Sequence, residues 1–527
     1  MNQTAHDDRK WWTLAAMCFA LFMIMLDNTV VNVAMPSIQR DLHASFDSLE
    51  WVINSYVLSF AALILLGGKL GDRFGRKRIF LVGLAIFTAS SVWCALANGD
   101  SQLIAARSLQ GVGGALLNPL SLSILVNAFP RAQVPTAIGI WAGVSGLGLA
   151  LGPLLGGYLV EHHGWASVFW INVPIGIIAA IVTTLVVRES SDSSTHTLDI
   201  VGTVIVTAAL FGLIWGLIQT NTHGWTSFST LGPLAAAIVL FGLFIVYESR
   251  ISDPMIPLTF FRTRSFDTAA IVVTLVGFAL FGTIYFLTLY LQNVRGYSAI
   301  GAGARTLPMT LMVMLVAPVA GKLSGRFGPR PLMTIGMISA GIGMLILAQL
   351  STTTSYWTGI LPGFVLIGAG IALTMPTTTG VAMGSVDPRK SGIASGVINA
   401  SRQVGGALGI AVLGSINATT SAGRWDEYVG SLPAGAQAAA AKAADAVSSG
   451  QVAAITAQSA KVGGRDAGAQ AGAAAADAFV HGLSTALYVG TGLALAASLV
   501  AFIGLRHFHP TTQSAGSAAP VAAIVEA

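Results

Sequence analysis

Long apolar runs with almost no charged residue recur along the chain up to residue 506, with short polar segments between them. A helix needs about 20 mostly apolar residues to cross the hydrocarbon core of a bilayer. By this criterion the sequence predicts fourteen spanning helices, at 12–35, 51–70, 79–97, 103–126, 136–159, 167–187, 199–219, 231–249, 268–292, 303–323, 332–350, 357–381, 392–417 and 483–506. A chain of this kind is expected to fold as an all-α membrane protein.

The composition excludes a water-soluble globule. Charged residues make up 9% of the chain, whereas a soluble domain carries about 25%. The net charge of +5 does not indicate nucleic-acid binding, because the basic residues cluster in the segments between the spans. Cys18 and Cys94 both lie in apolar runs and predict no disulfide. His162 and His163 are adjacent, so their side chains point apart and do not indicate a metal site.

The distribution of Lys and Arg predicts the orientation of the chain. With the N-terminus inside the cell, eighteen Lys and Arg lie in inner segments and seven in outer segments, four of the seven in one long loop. Cytoplasmic segments of membrane proteins carry this kind of excess. We therefore expect both termini in the cytoplasm, as an even number of spans requires.

Two copies of a polar, glycine-containing segment indicate a duplication. Residues 68–78 and 321–331 match at six of eleven positions, at an offset of 253. A second series of matches, which includes Gly152 and Gly409, has an offset of 257. Both offsets exceed the length of six ordinary spans by about the length of the helix pair at 199–249. The sequence therefore predicts six helices, an inserted pair and six more helices.

This duplication divides the chain into regions. They are a first six-helix half at 1–190, an inserted pair at 191–265, a second six-helix half at 266–509 and a disordered cytoplasmic tail at 510–527. The second half includes a long outer loop at 418–482, in which 21 of the 50 residues from 431 to 480 are alanine. Alanine favours helix, so a helical hairpin is one interpretation of this loop, and a low-complexity tether is the other.

Four motifs occur in order along the first half: LDNTVVNVAMP at 26–36, GKLGDRFGRKR at 68–78, RSLQGVGGA at 107–115 and GLALGPLLGG at 148–157. Together with fourteen spans, they resemble the major facilitator superfamily, and within it the fourteen-helix drug:proton antiporters. The resemblance covers residues 12 to 417 and resumes in the last helix. It implies the major facilitator fold and a multi-pass protein of the bacterial plasma (inner) membrane.

The same resemblance implies an energy source and a class of substrate. It predicts that amphipathic drugs, antibiotics or dyes leave the cell in exchange for protons. No nucleotide-binding loop of the GxxxxGKS/T kind occurs, so ATP is not expected to drive transport. We expect no cofactor, with the proton gradient as the source of energy.

Asp27 is an ionisable residue inside a span, which is costly in a bilayer and typical of a functional site. By helix rise, Asp27 lies roughly 13 Å inward from Pro36, and Arg107 lies roughly 10 Å inward from Asp100. The first helix runs outward and the fourth runs inward, so the two side chains reach a similar depth. We predict that Asp27 binds proton and substrate in competition, with Arg107 tuning its affinity for the proton. The alternative is a static buried ion pair that fixes helix packing.

The loop at 68–78 contains one acid, Asp72, among five bases. The resemblance implies that this loop latches the inner gate, through a salt bridge or a contact with a helix N-terminus. The residues assigned to this role are Asp72, Arg73, Gly75 and Arg76. The alternative is that the bases only hold the loop in the cytoplasm, and we expect residues 76–78 mostly to do that.

The run at 148–157 carries no ionisable group, and the usual leading glycine of its motif is Val144 here. Proline bends a helix, and glycines let a neighbouring backbone approach closely, so such a helix can seal one end of a pathway. The alternative is an ordinary packing face. The resemblance assigns a conformational role to Gly148, Gly152, Pro153, Gly156 and Gly157.

The second half lacks the charges of the first. Gly325 stands where the first copy has Asp72, and Phe364 stands where it has Arg107. We therefore expect coupling in the first half and substrate surface in the second, where Arg402 either extends to the membrane interface or faces the cavity. Candidate substrate-binding residues are Asn28, Asn32, Gln110, Asn118, Tyr285, Tyr290, Gln292, Met309, Asn399 and Gln403.

These observations predict an antiporter whose two halves alternate access to a central cavity. The runner-up is a uniporter or proton symporter for a defined small metabolite, and the third interpretation is a membrane scaffold or sensor. Because Asp27 is the one carboxylate placed deep in a span, we expect neutral, monocationic or zwitterionic substrates rather than dications. The expected state is a monomer in the lipid bilayer with no nucleic-acid partner, and a periplasmic adaptor protein stays open for a two-membrane bacterium.

Overall fold

The computed structural model of the protein describes residues 4–44, 46–191, 199–251 and 254–506, which fold almost entirely into helices. First come α1 (Thr4–Leu42), α2 (Phe46–Phe74), α3 (Arg76–Ala95), α4 (Asp100–Ala128), α5 (Val134–His163), α6 (Ser167–Trp170) and α7 (Asn172–Val186). They are followed by α8 (Ile200–His223) and α9 (Phe228–Glu248). The last helices are α10 (Arg264–Leu289), α11 (Ala299–Phe327), α12 (Pro329–Leu347), α13 (Leu361–Gly384), α14 (Ser391–Gly430), α15 (Ala434–Ala441), α16 (Ala444–Ser448) and α17 (Val452–Gly504).

Thirteen segments of the described chain are helical, long and apolar enough to cross a bilayer. One of them, Ser167–Val186, combines α6 and α7. Helix α5 adds a shorter apolar stretch, Val134–Gly148. The protein is therefore all-helical, and its spans agree with the fourteen predicted from the sequence.

Helices α5 and α11 pack against each other over most of their length. Near one end of this contact, a β-carbon on Gly139 would lie 2.5 Å from the carbonyl oxygen of Ala317. Near the other end, Gly157 faces the side chain of Ile300. Glycine thus lets the two backbones approach closely. A second contact, between α2 and α14, also joins the helices before α8 to the helices after α9.

Helices α8 and α9 pack on each other, and α8 also packs on α2 and α14. The pair therefore lies outside the α2–α14 contact. Large apolar side chains on α9 face outward, with Phe228 89% exposed and Ile238 72% exposed. In a bilayer these side chains face lipid tails, which are as apolar as they are.

The α2–α3 connection and the beginning of α14 lie at the same end of the helix bundle, where the Arg76 side chain donates to the carbonyl oxygen of Arg389. The beginning of α1 lies there as well, because Arg9 Nε donates to the carbonyl oxygen of Val186 at 2.7 Å. We call this end the basic end and define it by residues 69–78, 186–190 and 387–393.

At the opposite end, α14 and α17 continue beyond the length that a bilayer requires. They contain 40 and 53 residues, against about 20 for one span. Within α17 the chain folds back at Gly464, whose φ of 85° favours glycine, so that Gly472 faces Thr456. The region expected as a loop at 418–482 is thus mainly helical, and the predicted tail at 510–527 lies outside the described residues.

Helices α15 and α16 join these extensions in a separate cluster with its own buried core. Its buried residues are Trp425, Val429, Val447, Ile455, Ala471, Ala475 and Ala478. The indole N–H of Trp425 donates to the carbonyl oxygen of Ala440 at 3.0 Å, which ties α15 to the end of α14. We call residues 418–482 the distal helical cluster.

Candidate functional site

Helices α1 and α4 bring a carboxylate and a guanidinium together inside the bundle. Arg107 Nη1 lies 2.5 Å from Asp27 Oδ2, and the side chains are 2% and 0% exposed respectively. The two residues therefore lie at the same depth, as the helix rise predicts from the sequence. Because charges without partners are costly in such surroundings, the remaining polar atoms of the pair also need partners.

The second carboxylate oxygen of Asp27 accepts two more hydrogen bonds. Gln110 Nε2 donates to it at 2.9 Å, and Asn172 Nδ2 donates at 2.8 Å. Both amide groups also donate to the hydroxyl of Ser91, at 2.8 and 3.3 Å respectively. The Asp27 cluster, which we define as Asp27, Ser91, Arg107, Gln110 and Asn172, thus joins α1, α3, α4 and α7.

The guanidinium of Arg107 is held by more than its carboxylate. Its Nη1 donates to Gln110 Oε1 at 2.6 Å, and its Nε donates to the carbonyl oxygen of Val52 at 3.3 Å. Its central carbon lies 4.3 Å from the ring centroid of Tyr56 and 5.9 Å from that of Phe169. Aromatic faces attract cations. Arg107 therefore keeps neutral partners when the charge on Asp27 is removed.

The glycines of α5 fix the position of the helix that carries Asp27. A β-carbon on Gly148 would lie 2.9 Å from the β-carbon of Met25, and one on Gly152 would overlap the side chain of Thr29. A β-carbon on Gly156 would lie 3.3 Å from the backbone of Val30. These three glycines are spaced at i, i+4 and i+8, so they form one face against α1.

The motif at 148–157 contains two further residues with an assigned conformational role, Gly157 and Pro153. Gly157 points to the other side of α5, where a β-carbon would lie 2.5 Å from the Ile300 side chain on α11. Pro153 lies within α5, but its side chain lies outside the described part of the structure. The motif therefore connects α5 with both α1 and α11.

At the basic end, Asp72 on α2 binds the first turn of α14. The backbone N–H of Gly392 donates to Asp72 Oδ1 at 3.0 Å, and that of Ile393 donates to Oδ2 at 2.8 Å. A helix N-terminus carries a positive partial charge, so a carboxylate is stabilised there. Gly392 also leaves room for this contact, because a β-carbon would overlap the carboxylate.

Arg76 completes this contact, which we call the latch and define as Asp72, Arg76 and residues 388–393. The side chain of Arg76 is 2% exposed. Its Nη2 donates to Asp72 Oδ1 at 2.7 Å and to the carbonyl oxygens of Pro388 and Arg389 at 3.2 and 2.6 Å. A residue that only held the loop in the cytoplasm would be solvated, as Arg78 is at 79% exposure. The expectation that Arg76 acts mainly in this way is therefore corrected.

Gly75 sits in the turn between α2 and α3 with a φ of 104°, in the region that favours glycine. A β-carbon there would lie 2.7 Å from the carboxylate of Glu189. Glu189 accepts the backbone N–H groups of Lys77 and Arg78 at 3.1 and 3.2 Å, so it caps the beginning of α3. Arg73 is half-buried, and its guanidinium lies 5.0 Å from the ring of the next residue.

Of the four polar candidates in α1 and α4, Gln110 joins the Asp27 cluster. Asn28 and Asn32 donate to carbonyl oxygens one turn earlier in their own helix, at 3.0 and 3.2 Å. Asn118 is fully buried, and its side-chain amide has no hydrogen-bond partner among the described residues. The polar path expected along these helices is therefore not continuous in this conformation.

The candidate substrate-binding residues in the later helices differ in burial and in their contacts. Tyr290 is fully buried, and its hydroxyl donates to the carbonyl oxygen of Ser351 at 2.8 Å, so it anchors the connection that follows α12. Met309 is also buried. Asn399 lines a cavity between the halves. The half-buried or exposed candidates are Tyr285, Gln292 and Gln403.

That cavity lies where α4, α5, α10, α13 and α14 meet, and its volume is about 10 Å³, which is room for about one water molecule. It is lined by Leu122, Trp141, Val273, Met375, Thr379, Ile398, Asn399 and Arg402. A larger cleft of about 380 Å³ lies away from the basic end, beside Gly157 and Ser298. The described residues contain no group of three or more His, Cys, Asp or Glu that would hold a metal ion.

Comparison with known proteins identifies relatives along most of the chain. The pattern of the Major Facilitator Superfamily matches residues 17–410. The tetracenomycin C resistance and export protein of Streptomyces glaucescens is 37% identical over 503 residues, which cover 94% of this chain and 91% of that protein. The multidrug resistance protein Stp of Mycobacterium tuberculosis is 38% identical over 405 residues, which cover 77% and 75%.

A solved structure is similar to the fold as a whole. The crystal structure of the human organic anion transporter MFSD10 aligns with a TM-score of 0.62, over 93% of this chain and 99% of that chain. The sequence identity is 14%. At this identity the likeness extends to the arrangement of helices and no further.

Proposed function

This chain belongs to the major facilitator superfamily, and from that premise we propose that it is a proton-coupled antiporter that exports amphipathic drugs, antibiotics or dyes. A relative 37% identical over 503 residues is a resistance and export protein, and one 38% identical over 405 residues is a multidrug resistance protein. The observation that carries proton coupling is the Asp27 cluster, in which a buried carboxylate is bonded to Arg107, Gln110 and Asn172. An ionisable group in a span, with partners of this kind, is typical of a proton relay.

We propose that the basic end faces the cytoplasm of a bacterial cell and that both termini lie on that side. The excess of Lys and Arg in the segments assigned to this side supports the orientation. The latch then closes the cytoplasmic side, and the 380 Å³ cleft opens outward.

Protonation of Asp27 removes the charge that pairs with Arg107. The neutral acid keeps its amide neighbours, while the cation is left with Gln110, the carbonyl of Val52 and the ring of Tyr56. The contact between α1 and α4 changes as a result, and α1 is packed through glycines on α5, which contacts α11. We propose that protonation from outside releases substrate and that loss of the proton inside allows reloading.

In this cycle the latch stabilises the state in which the basic end is closed. Opening the basic end separates Asp72 from the first turn of α14, so a carboxylate and two amides lose their partners. A ligand can shift such an equilibrium only by binding the open state more tightly. Substrate that binds from the cytoplasm is proposed to stabilise the open state, and the bonds of the latch reform after it has left.

The test is dye transport in inside-out vesicles that carry a proton gradient. Wild-type protein is expected to accumulate dye only while the gradient lasts, and Asp27→Asn is expected to abolish this accumulation. Asp477→Asn, at a site 59% exposed in the distal helical cluster, is the matched control and should transport normally. Accumulation that survives Asp27→Asn would contradict proton coupling at this residue. Transport in the opposite direction would instead favour the uniporter or symporter.

A further inference from the structure

Arg402 is a cation in the middle of a spanning helix. It lies eleven residues after Ser391, which places it about 16 Å along α14 from the basic end. The hydrocarbon core is about 30 Å thick, so this position is close to its centre. Arg402 lines the cavity between the halves and does not extend to the membrane interface, which decides between the two interpretations drawn from the sequence.

The partners of Arg402 are incomplete. Its Nη2 donates to Asn399 Oδ1 at 2.6 Å. Its Nε is buried and has no hydrogen-bond partner, and no carboxylate of the described residues forms an ion pair with it. Arg76 and Arg107, the two arginines that are fully buried among the described residues, each bond to an aspartate. Because a charged group in a span is costly without a partner, Arg402 is positioned for a partner that the described chain does not supply.

The cavity beside Arg402 is lined by helices from both halves of the chain. Trp141 on α5 lines one wall, and Met375 and Thr379 on α13 line another. Helix α4, which also lines it, is bonded to the beginning of α14 where Ser123 Oγ lies 2.7 Å from Ser391 Oγ. When α4 and α2 move away from α14 at the basic end, this cavity is expected to widen, because α4 and α14 both contribute to its wall.

We propose that Arg402 binds an anionic group of the exported compound, such as a carboxylate or an acidic phenol, when the basic end is open. The inference rests on the proposed function and adds that, among its amphipathic substrates, Arg402 favours organic anions and zwitterions over cations. A guanidinium presents a planar fork of donors that matches a carboxylate. Asn399 orients this fork through its bond to Nη2, and Trp141 and Met375 supply apolar surface for the rest of the molecule.

The experiment compares two dyes that differ by one charge: a rhodamine with a free carboxylate and the ethyl ester of the same rhodamine. Both are offered to inside-out vesicles that contain the full-length protein. We expect wild-type protein to transport both dyes, and Arg402→Gln to lower transport of the acid by about 10-fold or more while the ester changes less than twofold. Arg402→Lys keeps the charge but loses the fork, so transport of the acid should fall to an intermediate rate.

Arg305→Gln is the matched control, because it removes the same charge near the beginning of α11, away from the basic end, where Arg305 lies over the ring of Tyr297. It should leave the ratio of acid to ester unchanged. Equal loss of both dyes in Arg402→Gln would assign Arg402 a structural role and overturn the inference, as would wild-type transport of the ester alone. Transport of neither dye, nor of any other amphipathic probe, would contradict the proposed function itself.

Binding to the purified protein keeps the inference testable when a variant transports poorly. The thermal unfolding temperature of wild-type protein in detergent is measured with the acid dye and with its ester. The acid is expected to raise this temperature more than the ester does, and the difference should vanish in Arg402→Gln but persist in Arg305→Gln. An equal effect of both dyes on wild-type protein would overturn the inference.

Discussion

The carboxylate of Asp72 on α2 accepts the backbone N–H of Ile393 in the first turn of α14, at 2.8 Å. One residue thus caps a helix that lies more than 300 positions further along the chain. The duplicated segment has no counterpart, since Gly325 replaces the acid and a β-carbon there would meet nothing within 4 Å. The two copies of the segment share glycines and basic residues, but only the first copy has the carboxylate that forms the latch.

The first prediction concerns the latch. Asp72→Asn removes the charge and one acceptor from the beginning of α14, so we expect the closed basic end to lose about 2 kcal/mol relative to the open one, as for a hydrogen bond to a charged group. A cysteine placed at Thr379, in a protein without Cys18 and Cys94, should then react faster with a water-soluble maleimide. The measurement is the rate of labelling in inside-out vesicles.

Asp387→Asn is the control for this change, since it removes the charge of an acid next to the latch, while the Asn side chain can still accept the backbone N–H of Arg389 as Asp387 does. Hydrogen bonds from Arg389 hold the pKa of the Asp387 carboxyl below its ordinary value. Its stabilising contribution is therefore present above the unfolded pKa and is lost as the pH falls through the lower, folded value. At neutral pH Asp387 is ionised, and its replacement should leave labelling unchanged; equal acceleration by both variants would argue against a specific latch.

The second prediction concerns the Asp27 cluster. Arg107→Gln leaves a buried carboxylate without its cation and is expected to lower the free energy of unfolding by about 3–5 kcal/mol. The double variant Asp27→Asn with Arg107→Gln contains no charge in the Asp27 cluster, so it should be more stable than the sum of the two single changes indicates. Thermal unfolding of the four purified proteins in detergent measures this coupling. Additive effects would show that the two side chains are energetically independent.

The third prediction concerns the glycine face of α5. Gly152→Ala places a methyl group where the side chain of Thr29 lies, so α1 must move away and the Asp27 cluster with it. We expect dye transport to fall at least about 10-fold, with Thr29→Ala partly restoring it because the nearest atom is removed. Gly242→Ala, on α9, meets nothing within 4 Å and should have no effect. Normal transport by Gly152→Ala would contradict the tight packing of α1 on α5.

The pairing of Asp27 with Arg107 could be predicted from the sequence because helix rise fixes depth, and depth is a property of one helix at a time. The roles of Asn172 and Glu189 could not be predicted in that way. Each reaches a partner more than 100 positions away, through the packing of α7 and the chain that follows it. Both nevertheless leave a signal, since an amide within an apolar run and an acid directly after one are unusual.

Substrate-facing residues were the hardest to predict. In a soluble protein, one face of a helix is apolar and the other polar, so periodicity separates them. A helix in lipid is apolar on most faces, and this contrast is weak. The sequence therefore does not distinguish Tyr290 from Asn399, although the Tyr290 hydroxyl bonds to the carbonyl oxygen of Ser351 and Asn399 lines a cavity with Arg402.

Helix α14 runs without a break from the latch at Ser391, past Arg402, to Gly430 in the distal helical cluster. Its 40 residues make a rod about 60 Å long. A tilt of about 10° around its middle would displace each tip by about 5 Å, in opposite directions. In the orientation proposed above, opening of the basic end would move the Gly430 end of α14 on the outer surface of the cell. An antibody fragment that holds this end in place should therefore arrest transport without touching the pathway.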